Sequence, residues 1–356
     1  MSDLKKLFIE DVPLIDVRAP VEFHSGAFPA AINLPILNDQ ERETVGTCYK
    51  EEGHEAAEAL GYKLVCGELK TERIEAWKNI LAKHPDAQLY CFRGGKRSEI
   101  ATTWLKDAGY SVPRIEGGYK KMRSYLLNSL ETLPEIIVIG GQTGVGKTEL
   151  LEHFDNKLDL EALARHRGSA FGGTIDQQPS QIDFENQVAI ACLKLKTQSD
   201  ARMFVEDEGR LIGRMHVPLP LQNKMKVSPL IVLTDTVENR ANRIYEEYIV
   251  TQWQDYQLAY GAHAEERFAD YLLNAVDAIR KRLGGALHQQ IRMVIERALH
   301  QDNQQQLHLQ WIRELLENYY DPMYNYQLAK KTERIRISGT ADELLNWARE
   351  YQSKRV

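Results

Sequence analysis

Residues 141–148 read GQTGVGKT, and no other stretch restricts the possible folds of this chain as strongly. The stretch follows an apolar run, EIIVI, and precedes a helical pattern, ELLEHF, which is the context that a phosphate-binding loop between a strand and a helix requires. Later strand-like runs, RMFVED and PLIVLTD, are each flanked by helical patterns. The sequence therefore predicts a parallel α/β sheet that carries a phosphate-binding loop.

The glycines of this loop allow backbone amides to close around a phosphate. Lys147 is expected to reach the outer phosphate oxygens, and Thr148 is expected to coordinate Mg²⁺ if a metal is present. The predicted diphosphate-binding residues are Gly141, Gly144, Val145, Gly146, Lys147 and Thr148. The motif indicates a di- or triphosphate ligand and does not by itself specify ATP.

Two further stretches of the same predicted domain carry candidate site residues. Glu206 and Asp207 end a strand-like run and are candidate Walker B acids, which hold a metal-bound water or act as a base. Their alternative is a solvated strand end. The loop HRGSAFGG contains His166, Arg167 and Ser169, a candidate second anion clamp whose alternative is a polar turn.

A second group of reactive residues lies in YCFRGGKRS, residues 90–98. Cys91 follows an apolar stretch that predicts the end of a strand, and a helical pattern begins after Ser98. Loop amides, a helix N-terminus and nearby cations favour a thiolate near neutral pH and an anion held against the sulfur. Cys91 is therefore the candidate catalytic residue. The predicted anion-binding loop consists of Arg93, Gly94, Gly95, Lys96, Arg97 and Ser98.

The first part of the chain resembles the rhodanese-like domain family. The matching stretch LIDVRAPVEFHSGAFPAAINLP and the cysteine loop together cover residues 10–125. In that family the cysteine carries sulfur as a persulfide. The spacing here, C-x5-R from Cys91 to Arg97, is one residue longer than the usual sulfurtransferase loop and resembles rhodanese-fold phosphatases, which hold a tetrahedral oxyanion. The resemblance leaves open whether the anion is a bare chalcogen or a phosphate-like group.

Length and composition limit the class of protein further. The chain has 356 residues and a formal net charge of −6, so two or more domains are expected and a general nucleic-acid binder is weakly disfavoured. Four widely spaced cysteines disfavour a zinc site or a disulfide framework. Without a signal-peptide pattern or an apolar run of membrane length, the sequence predicts a reduced, cytoplasmic protein.

The predicted α/β architecture has three parts. Residues 1–130 are expected to form the rhodanese-like domain, and residues 135–236 a P-loop α/β domain. Residues 237–356 are expected to form a mostly helical region that packs on the P-loop domain. The stretch TLPE is interpreted as a linker, because its proline ends the preceding helix.

Several stretches outside the generic motifs resemble the bacterial tRNA 2-selenouridine synthase family. They are LPILNDQERETVGTCYKEEGHEAA, YCFRGGKRS, GGQTGVGKTELL, DLEALARHRGSAFG, FVEDEGRLIG and YYDPMYNYQL. The resemblance implies that wobble 2-thiouridine of tRNA is S-geranylated by geranyl diphosphate, after which selenium from selenophosphate displaces geranylthiol. It also implies that the P-loop holds the diphosphate. Cys91 and its loop would serve the selenium step, as a perselenide carrier or by activating selenophosphate.

This resemblance implies a surface that grips tRNA. The stretch YYDPMYNY places aromatic residues beside two lysines, and aromatic side chains can stack on unpaired bases. The alternative is that the tyrosines pack against helices. The candidate tRNA contacts are Tyr324, Tyr326, Lys330 and Lys331.

Two other readings account for the generic motifs. One is a rhodanese-type sulfurtransferase or phosphatase fused to an ATP-dependent kinase-like domain. The other is a binding module in which the P-loop domain is a nucleotide-gated regulator and Cys91 a redox sensor. Neither predicts the matches outside the generic motifs, in particular NDQERETVGTCYKEEG.

Overall fold

The computed structural model describes residues 3–198, 202–300 and 304–353. The chain forms two compact units: the cysteine unit, residues 1–132 with 180–194, and the P-loop unit, residues 133–179 with 195–356. Each unit contains a parallel sheet flanked by helices, so the predicted α/β class is confirmed. Within the described residues, every helix is too short or too polar to traverse a membrane.

The secondary-structure elements are named in chain order. The strands are β1 (Leu14–Asp16), β2 (Ala31–Asn33), β3 (Gln88–Tyr90), β4 (Glu135–Gly141), β5 (Lys157–Leu158), β6 (Arg202–Glu206), β7 (Leu211–Ile212), β8 (Met215–His216), β9 (Leu230–Leu233) and β10 (Ile335–Gly339). The helices are α1 (Leu4–Ile9), α2 (Pro20–His24), α3 (Asp39–Glu52), α4 (His54–Leu64), α5 (Gly67–Lys83), α6 (Lys96–Asp107), α7 (Gly118–Ser129), α8 (Lys147–Leu151), α9 (Leu160–Ala164), α10 (Gln181–Leu195), α11 (Leu219–Val227), α12 (Val237–Tyr245), α13 (Gln252–Tyr260), α14 (Ala264–Ala278), α15 (Arg280–Leu283), α16 (Gly285–His300), α17 (Gln304–Leu315), α18 (Asp321–Ala329) and α19 (Ala341–Ser353).

Short non-α turns connect several helices. The 3₁₀ turns are Leu130–Thr132, Gly261–His263 and Thr332–Arg334, and the π-helical turns are Glu246–Thr251 and Leu316–Tyr320. The two π-helical turns lie inside longer helical stretches of the P-loop unit. Such turns often occur at functional sites, because the extra residue per turn redirects side chains.

The cysteine unit is built on a three-stranded parallel sheet in the order β2-β1-β3. Apolar side chains of β1 and β3 pack with Trp77 of α5 and Trp104 of α6, whose rings stack with centroids 6.3 Å apart. This core fixes the end of β3, where Cys91 begins the loop, relative to α6, where the loop ends.

A buried ion pair ties this sheet to the following loop. Asp16 and Arg18 are 0% and 1% exposed, and Arg18 donates two hydrogen bonds from Nε and Nη2 to Asp16 Oδ2 at 2.8 and 2.6 Å. Arg18 also donates to the Gly26 carbonyl at 2.9 Å and lies 4.0 Å from the centroid of the Tyr119 ring. The guanidinium therefore links three segments of the unit.

The P-loop unit contains a five-stranded parallel sheet in the order β10-β9-β4-β6-β5. Strand β4, which leads into the phosphate-binding loop, lies in the middle, between β9 and β6. The carboxyl ends of parallel strands lie at one edge of a sheet, so the residues that follow β4 and β6 meet there.

The region after residue 237 is mostly helical, as predicted, yet it also completes the sheet. Strand β10 pairs in parallel with β9, and α19 packs against both strands. The helices from α12 to α17 enclose a separate apolar core that includes Leu272, Ile291 and Trp311. The C-terminal region and the P-loop fold are therefore one structural unit.

Helix α10 belongs to a different unit from the one that its place in the sequence suggests. It falls within the predicted P-loop domain, but it packs in the cysteine unit. The Ala27 amide donates to Asp183 Oδ1 at 2.7 Å, and Arg123 donates to Asn186 Oδ1 at 2.8 Å. These partners are far apart in sequence, so no local pattern could reveal them.

Strand predictions differ from the structure at three places. The predicted strand near PRIEGG is a single bridge between Leu89 and Arg114. The sequence did not predict β5 or the β7–β8 hairpin, each strand of which has only two residues. Strands this short lack the alternation from which strands are recognised.

We expect Arg18→Met to destabilise the cysteine unit by about 3–5 kcal/mol, because it leaves the Asp16 charge buried without a partner. Hydrogen exchange of peptides from β1 and β3 measures this unit by itself. The control is Lys78→Met, which removes a more exposed pair with Glu75 and should cost at most about 1 kcal/mol. Equal hydrogen-exchange rates in Arg18→Met and Lys78→Met would contradict the stabilising role of the buried Asp16–Arg18 ion pair.

Candidate functional site

The phosphate-binding loop has a backbone that requires glycine. Gly144 and Gly146 have φ angles of 73° and 90°, which other residues rarely adopt. A Cβ atom at Gly144 would lie 2.6 Å from the Ile244 side chain of α12. Arg243, also on α12, donates from Nη1 to the Gly144 carbonyl at 2.7 Å. Helix α12 therefore holds the loop at close range.

The loop lines a cavity of about 820 Å³ in the P-loop unit, a volume typical of small-molecule sites. The predicted residues that line it are Gly141, Gly144, Val145, Gly146, Lys147, Thr148, His166, Arg167, Ser169, Glu206, Asp207 and Tyr324. Other lining residues include Asp159, Glu161, Arg165, Glu208, Arg243, Glu247, Tyr248, Tyr320 and Met323. The predicted diphosphate-binding loop, the candidate anion clamp, the candidate Walker B acids and one candidate tRNA contact thus line one cavity.

Three carboxylates form a cluster, the acid triad, in the wall of this cavity. One oxygen each of Glu161, Glu206 and Glu208 lies within 4.8 Å of the others. Glu206 is 1% exposed, and its Oε1 atom has no hydrogen-bond partner among the described residues. The Thr148 side chain hydrogen-bonds the Glu206 carboxylate, and Lys147 lies close enough to interact with its charge.

Burial makes the acid triad hard to ionise. Burial, together with the charges of Glu206 and Glu208, raises the pKa of Glu161 to about 9. Burial also raises the pKa of Glu206 to about 7, although the charge of Lys147 favours its ionised form. The pKa of Glu208 is likewise raised by burial, and Glu208 shares a hydrogen bond with Glu161 that needs a proton. The triad therefore holds protons at neutral pH unless a cation replaces them.

The acid triad has the donor set of a divalent cation site. Carboxylate and hydroxyl oxygens are the ligands that Mg²⁺ prefers, and Thr148 lies beside Glu206. The buried, unpartnered Oε1 atom of Glu206 is a ligand atom available to such an ion. The residues of this cavity therefore fit Mg²⁺.

The candidate anion clamp forms a compact turn on the cavity wall. Arg167 donates to Gln252 Oε1 at 3.1 Å and lies 5.4 Å from the centroid of the Tyr248 ring. His166 Nδ1 accepts from the Gly168 amide at 3.2 Å, and burial, with the charge of Arg167, lowers the His166 pKa. The positive charge of this turn is therefore carried by Arg167 and not by His166.

The other predicted acid, Asp207, is not a member of the acid triad, although its charge contributes to the raised pKa of Glu208. Its carboxylate forms an ion pair with Lys331 at 2.5 Å. Tyr324, a candidate tRNA contact, lines the cavity. Tyr326 is 66% exposed, and Lys330 Nζ lies 4.0 Å from the centroid of its ring. Of the four candidate tRNA contacts, Tyr326 and Lys330 therefore form the exposed pair.

In the cysteine unit, Cys91 lies at the end of β3 and is 3% exposed. Its Sγ atom is 3.2 Å from Ser98 Oγ and 3.8 Å from the Gly95 carbonyl oxygen. Ser98 in turn donates to the Gly95 carbonyl at 2.9 Å. The predicted loop therefore closes as a ring around the sulfur, with the first turn of α6 as one side.

Arg97 is the cation of this ring that the surrounding structure orients. Its guanidinium forms two hydrogen bonds with Glu22, one from Nη1 to Oε2 and the other from Nη2 to Oε1 at 3.0 Å. Burial opposes the charge on Arg97, but Glu22 and the nearby Cys91 outweigh it, so its pKa is raised. By contrast, Arg93 and Lys96 are exposed, and Lys96 lies 3.5 Å from Glu58.

Two glycines let the backbone of residues 115–118 pack against the ring. A Cβ atom at Gly94 would lie 2.6 Å from the Gly117 amide nitrogen, and one at Gly118 only 2.1 Å from the Cys91 carbonyl oxygen. The Tyr119 amide donates to that same carbonyl at 2.9 Å. This close packing fixes the path of the backbone at Cys91, immediately after β3.

Sequence reasoning missed Glu161 and Glu208 of the acid triad and the role of Glu22. Glu208 had a usable signal, since Glu206 and Glu208 are two residues apart in VEDEG and such residues can share a side in extended chain. Glu161 had none, because it lies on the short helix α9 and reaches the triad only through tertiary structure.

Fold and site together define a two-unit protein that joins a cysteine-loop unit to a P-loop unit. Residues 1–125 match the rhodanese-like domain family, and residues 134–355 match the family described as the tRNA 2-selenouridine synthase AAA domain. The chain belongs to the tRNA 2-selenouridine synthase family.

Similar proteins support this membership over the full length. A tRNA 2-selenouridine synthase from Pseudomonas savastanoi pv. phaseolicola is 47% identical, with 99% of each chain covered. One from Pseudomonas putida is 47% identical over 100% of this chain and 97% of its own. One from Marinobacter nauticus is 46% identical over 98% and 97%.

We expect the stability of the P-loop unit to fall as pH rises from about 4.5 to about 9, because the folded triad binds more protons than the unfolded chain. Glu161→Gln should flatten this dependence, since glutamine does not ionise. Thermal unfolding across this pH range, with and without MgCl₂, measures the effect. Mg²⁺ should raise the Tm most at the upper end, where the carboxylates are ionised.

The control is Glu266→Gln, an exposed residue of α14, which should keep the pH dependence of the unchanged protein. If Glu161→Gln retains the full pH dependence and the full response to Mg²⁺, the triad does not titrate as described.

Proposed function

We propose that the protein converts wobble 2-thiouridine of tRNA to 2-selenouridine through S-geranyl-2-thiouridine. The co-substrates are geranyl diphosphate and selenophosphate, and both steps are group transfers in the cytoplasm. The observation that carries the proposal is that one chain has both a diphosphate-type cavity and a Cys91–Arg97 anion loop. The names of its relatives supply the nucleoside product.

In the first step, the thiocarbonyl sulfur attacks C1 of geranyl diphosphate. A C–S bond forms, the C–O bond to diphosphate breaks, and the nucleobase loses its N3 proton. Lys147, Arg167 and Arg243 all line the cavity and can balance the negative charge of the departing diphosphate. The N3 proton passes to solvent, because the carboxylate of Glu206 would be occupied as a ligand when Mg²⁺ is bound.

Magnesium fits the same cavity through the acid triad and Thr148. When bound, Mg²⁺ supplies positive charge that stabilises a diphosphate leaving group. The cavity also has less polar wall, formed in part by Tyr248, Tyr320 and Met323, against which an allylic chain can lie. A diphosphate attached to a hydrocarbon therefore matches both kinds of lining.

In the second step, selenium replaces sulfur at C2 of the S-geranyl nucleoside. Selenophosphate, water and the nucleoside yield 2-selenouridine, geranylthiol and phosphate, a balance that needs no oxidant. A Cys91 perselenide made with release of phosphate would need a two-electron oxidant, since selenium is already fully reduced in selenophosphate. The balance therefore favours activation of selenophosphate over a perselenide carrier.

Cys91 can activate selenophosphate by attacking phosphorus. The thiolate forms an S–P bond, the P–Se bond breaks, and selenide leaves to attack C2. Water then hydrolyses the phosphocysteine to restore the thiol. The loop suits a tetrahedral oxyanion, because Arg97 is held by Glu22 and Ser98 Oγ lies 3.2 Å from the sulfur. Arg93, Lys96 and the loop glycines complete the donor-binding ring.

The exposed pair Tyr326 and Lys330 is the proposed tRNA contact. An aromatic ring and a cation on one surface can stack on an unpaired base and pair with its phosphate. Lys331 and Tyr324 would act indirectly, because Lys331 binds Asp207 and Tyr324 lines the cavity.

The overall reaction is tested by mass analysis of nucleosides from tRNA containing 2-thiouridine. We expect S-geranyl-2-thiouridine with geranyl diphosphate alone, and 2-selenouridine after selenophosphate is added. Unchanged nucleosides in both reactions, together with ATP hydrolysis by the same protein, would support the kinase-like alternative instead.

The division of labour between the units is tested by two variants. We expect Cys91→Ser to abolish selenation and leave geranylation unchanged, while Lys147→Ala lowers geranylation about 100-fold or more, because it removes a cation from the leaving group. The controls are Cys66→Ser, an exposed cysteine, and Lys157→Ala on β5. Loss of geranylation in Cys91→Ser would refute the assignment of one step to each unit.

A further inference from the structure

The cysteine unit contains an apolar cavity of about 190 Å³ that the proposed reaction has not used. Helices α3 and α4 form one side of it through Val45, Ala57 and Gly61. Ile36 and Leu37, which follow β2, form its base and are 4% and 8% exposed. Most of the surface that lines it is apolar, which suits a hydrocarbon ligand.

The same helix that closes the Cys91 ring forms the other wall of this cavity. Arg97, Ile100 and Trp104 line it and are spaced at i, i+3 and i+7 along α6, so they share one helix face. Ser98, between the first two, contacts the Cys91 sulfur. The cavity therefore begins within one helical turn of the anion ring.

The charged residues that line the cavity lie close to one another, since His54 Nδ1 is 3.7 Å from Glu58. Lys96 Nζ is 3.5 Å from the same Glu58, and Arg97 follows Lys96 in the chain and also lines the cavity. Tyr49 and Tyr62 also line the cavity and are 57% and 46% exposed, so they stand at its border with solvent. A ligand that fits is a hydrocarbon joined to a polar or anionic group.

We propose that this cavity binds the geranyl chain of S-geranyl-2-thiouridine during the selenium step. The inference rests on the proposed function. A cavity of about 150 Å³ holds benzene, so 190 Å³ accommodates most of a branched ten-carbon chain. With the chain in the cavity, the thioether carbon C2 lies toward the Cys91 ring, where selenide is released.

Binding the chain here assists the reaction in two ways. It positions the carbon that selenide must attack, and it keeps the leaving geranylthiol on the side away from the incoming nucleophile. A nucleoside without a prenyl chain lacks this anchor. The protein should therefore select the S-geranyl nucleoside over a smaller S-alkyl nucleoside at this step.

Gly61 allows the cavity to be filled without disturbing the fold. It lines the cavity on α4, and a Cβ atom there would meet no atom within 4 Å. Leucine also favours a helix over glycine, so Gly61→Leu should remain folded. Gly46 on α3 is the matched control, because a Cβ there also meets no atom within 4 Å and Gly46 does not line the cavity.

The test uses the full chain, selenophosphate, and tRNA carrying either S-geranyl- or S-methyl-2-thiouridine. We expect Gly61→Leu to slow 2-selenouridine formation from the geranyl substrate about tenfold or more, with the methyl substrate unaffected. Gly46→Leu should match the unchanged protein on both. Equal rates for Gly61→Leu and Gly46→Leu, or equal slowing of both substrates, would overturn the inference.

A binding measurement separates this inference from the proposed function. Calorimetry with the nucleoside S-geranyl-2-thiouridine should show affinity about tenfold weaker in Gly61→Leu than in Gly46→Leu. One outcome is that the unchanged protein and Gly46→Leu bind this nucleoside more tightly than Gly61→Leu does, while the unchanged protein forms no 2-selenouridine. In that case the proposed function fails and the cavity assignment stands. If binding is absent or equal in the two variants, the cavity assignment fails whatever the activity.

Discussion

The position of β4 between β6 and β9 is the constraint on which the P-loop unit depends. Parallel pairing on both sides places the phosphate-binding loop beside the end of β6, where Glu206 contacts Thr148. The same edge collects Glu161, Glu208 and the Arg167 turn into one cavity. Lysine, arginine and carboxyl groups of opposite charge therefore line the same cavity, and burial strengthens the interactions between them.

The two units differ in the groups that form their candidate anion-binding sites. Each unit places candidate anion-binding groups beside a strand end. The P-loop unit has glycine backbone, Lys147 and an acid triad with the donor set of a cation site, whereas the cysteine unit has a sulfur and an arginine held by Glu22. Under the proposed function, the first arrangement would bind a diphosphate leaving group. The second would bind a single tetrahedral group beside the Cys91 sulfur.

Much of the fold was predictable from local sequence. The strand before GQTGVGKT, the strand before Cys91, and the helical character after residue 237 all follow from apolar periodicity and glycine placement. Predictions failed where structure depends on distant partners. Helix α10 joins the cysteine unit through Asp183 and Asn186, whose partners are far away in sequence.

The sequence by itself determined where the two candidate anion-binding loops lie, because a Cys-x5-Arg loop and a P-loop each need a fixed residue order within a few positions. Only the tertiary structure decided which side chains act together. Glu161 meets Glu206 and Glu208 because α9 and β6 fold onto one cavity, and Gly61 faces the helix of Arg97 because α4 packs beside α6. Contacts between distant segments depend on packing of whole elements, which short motifs do not encode.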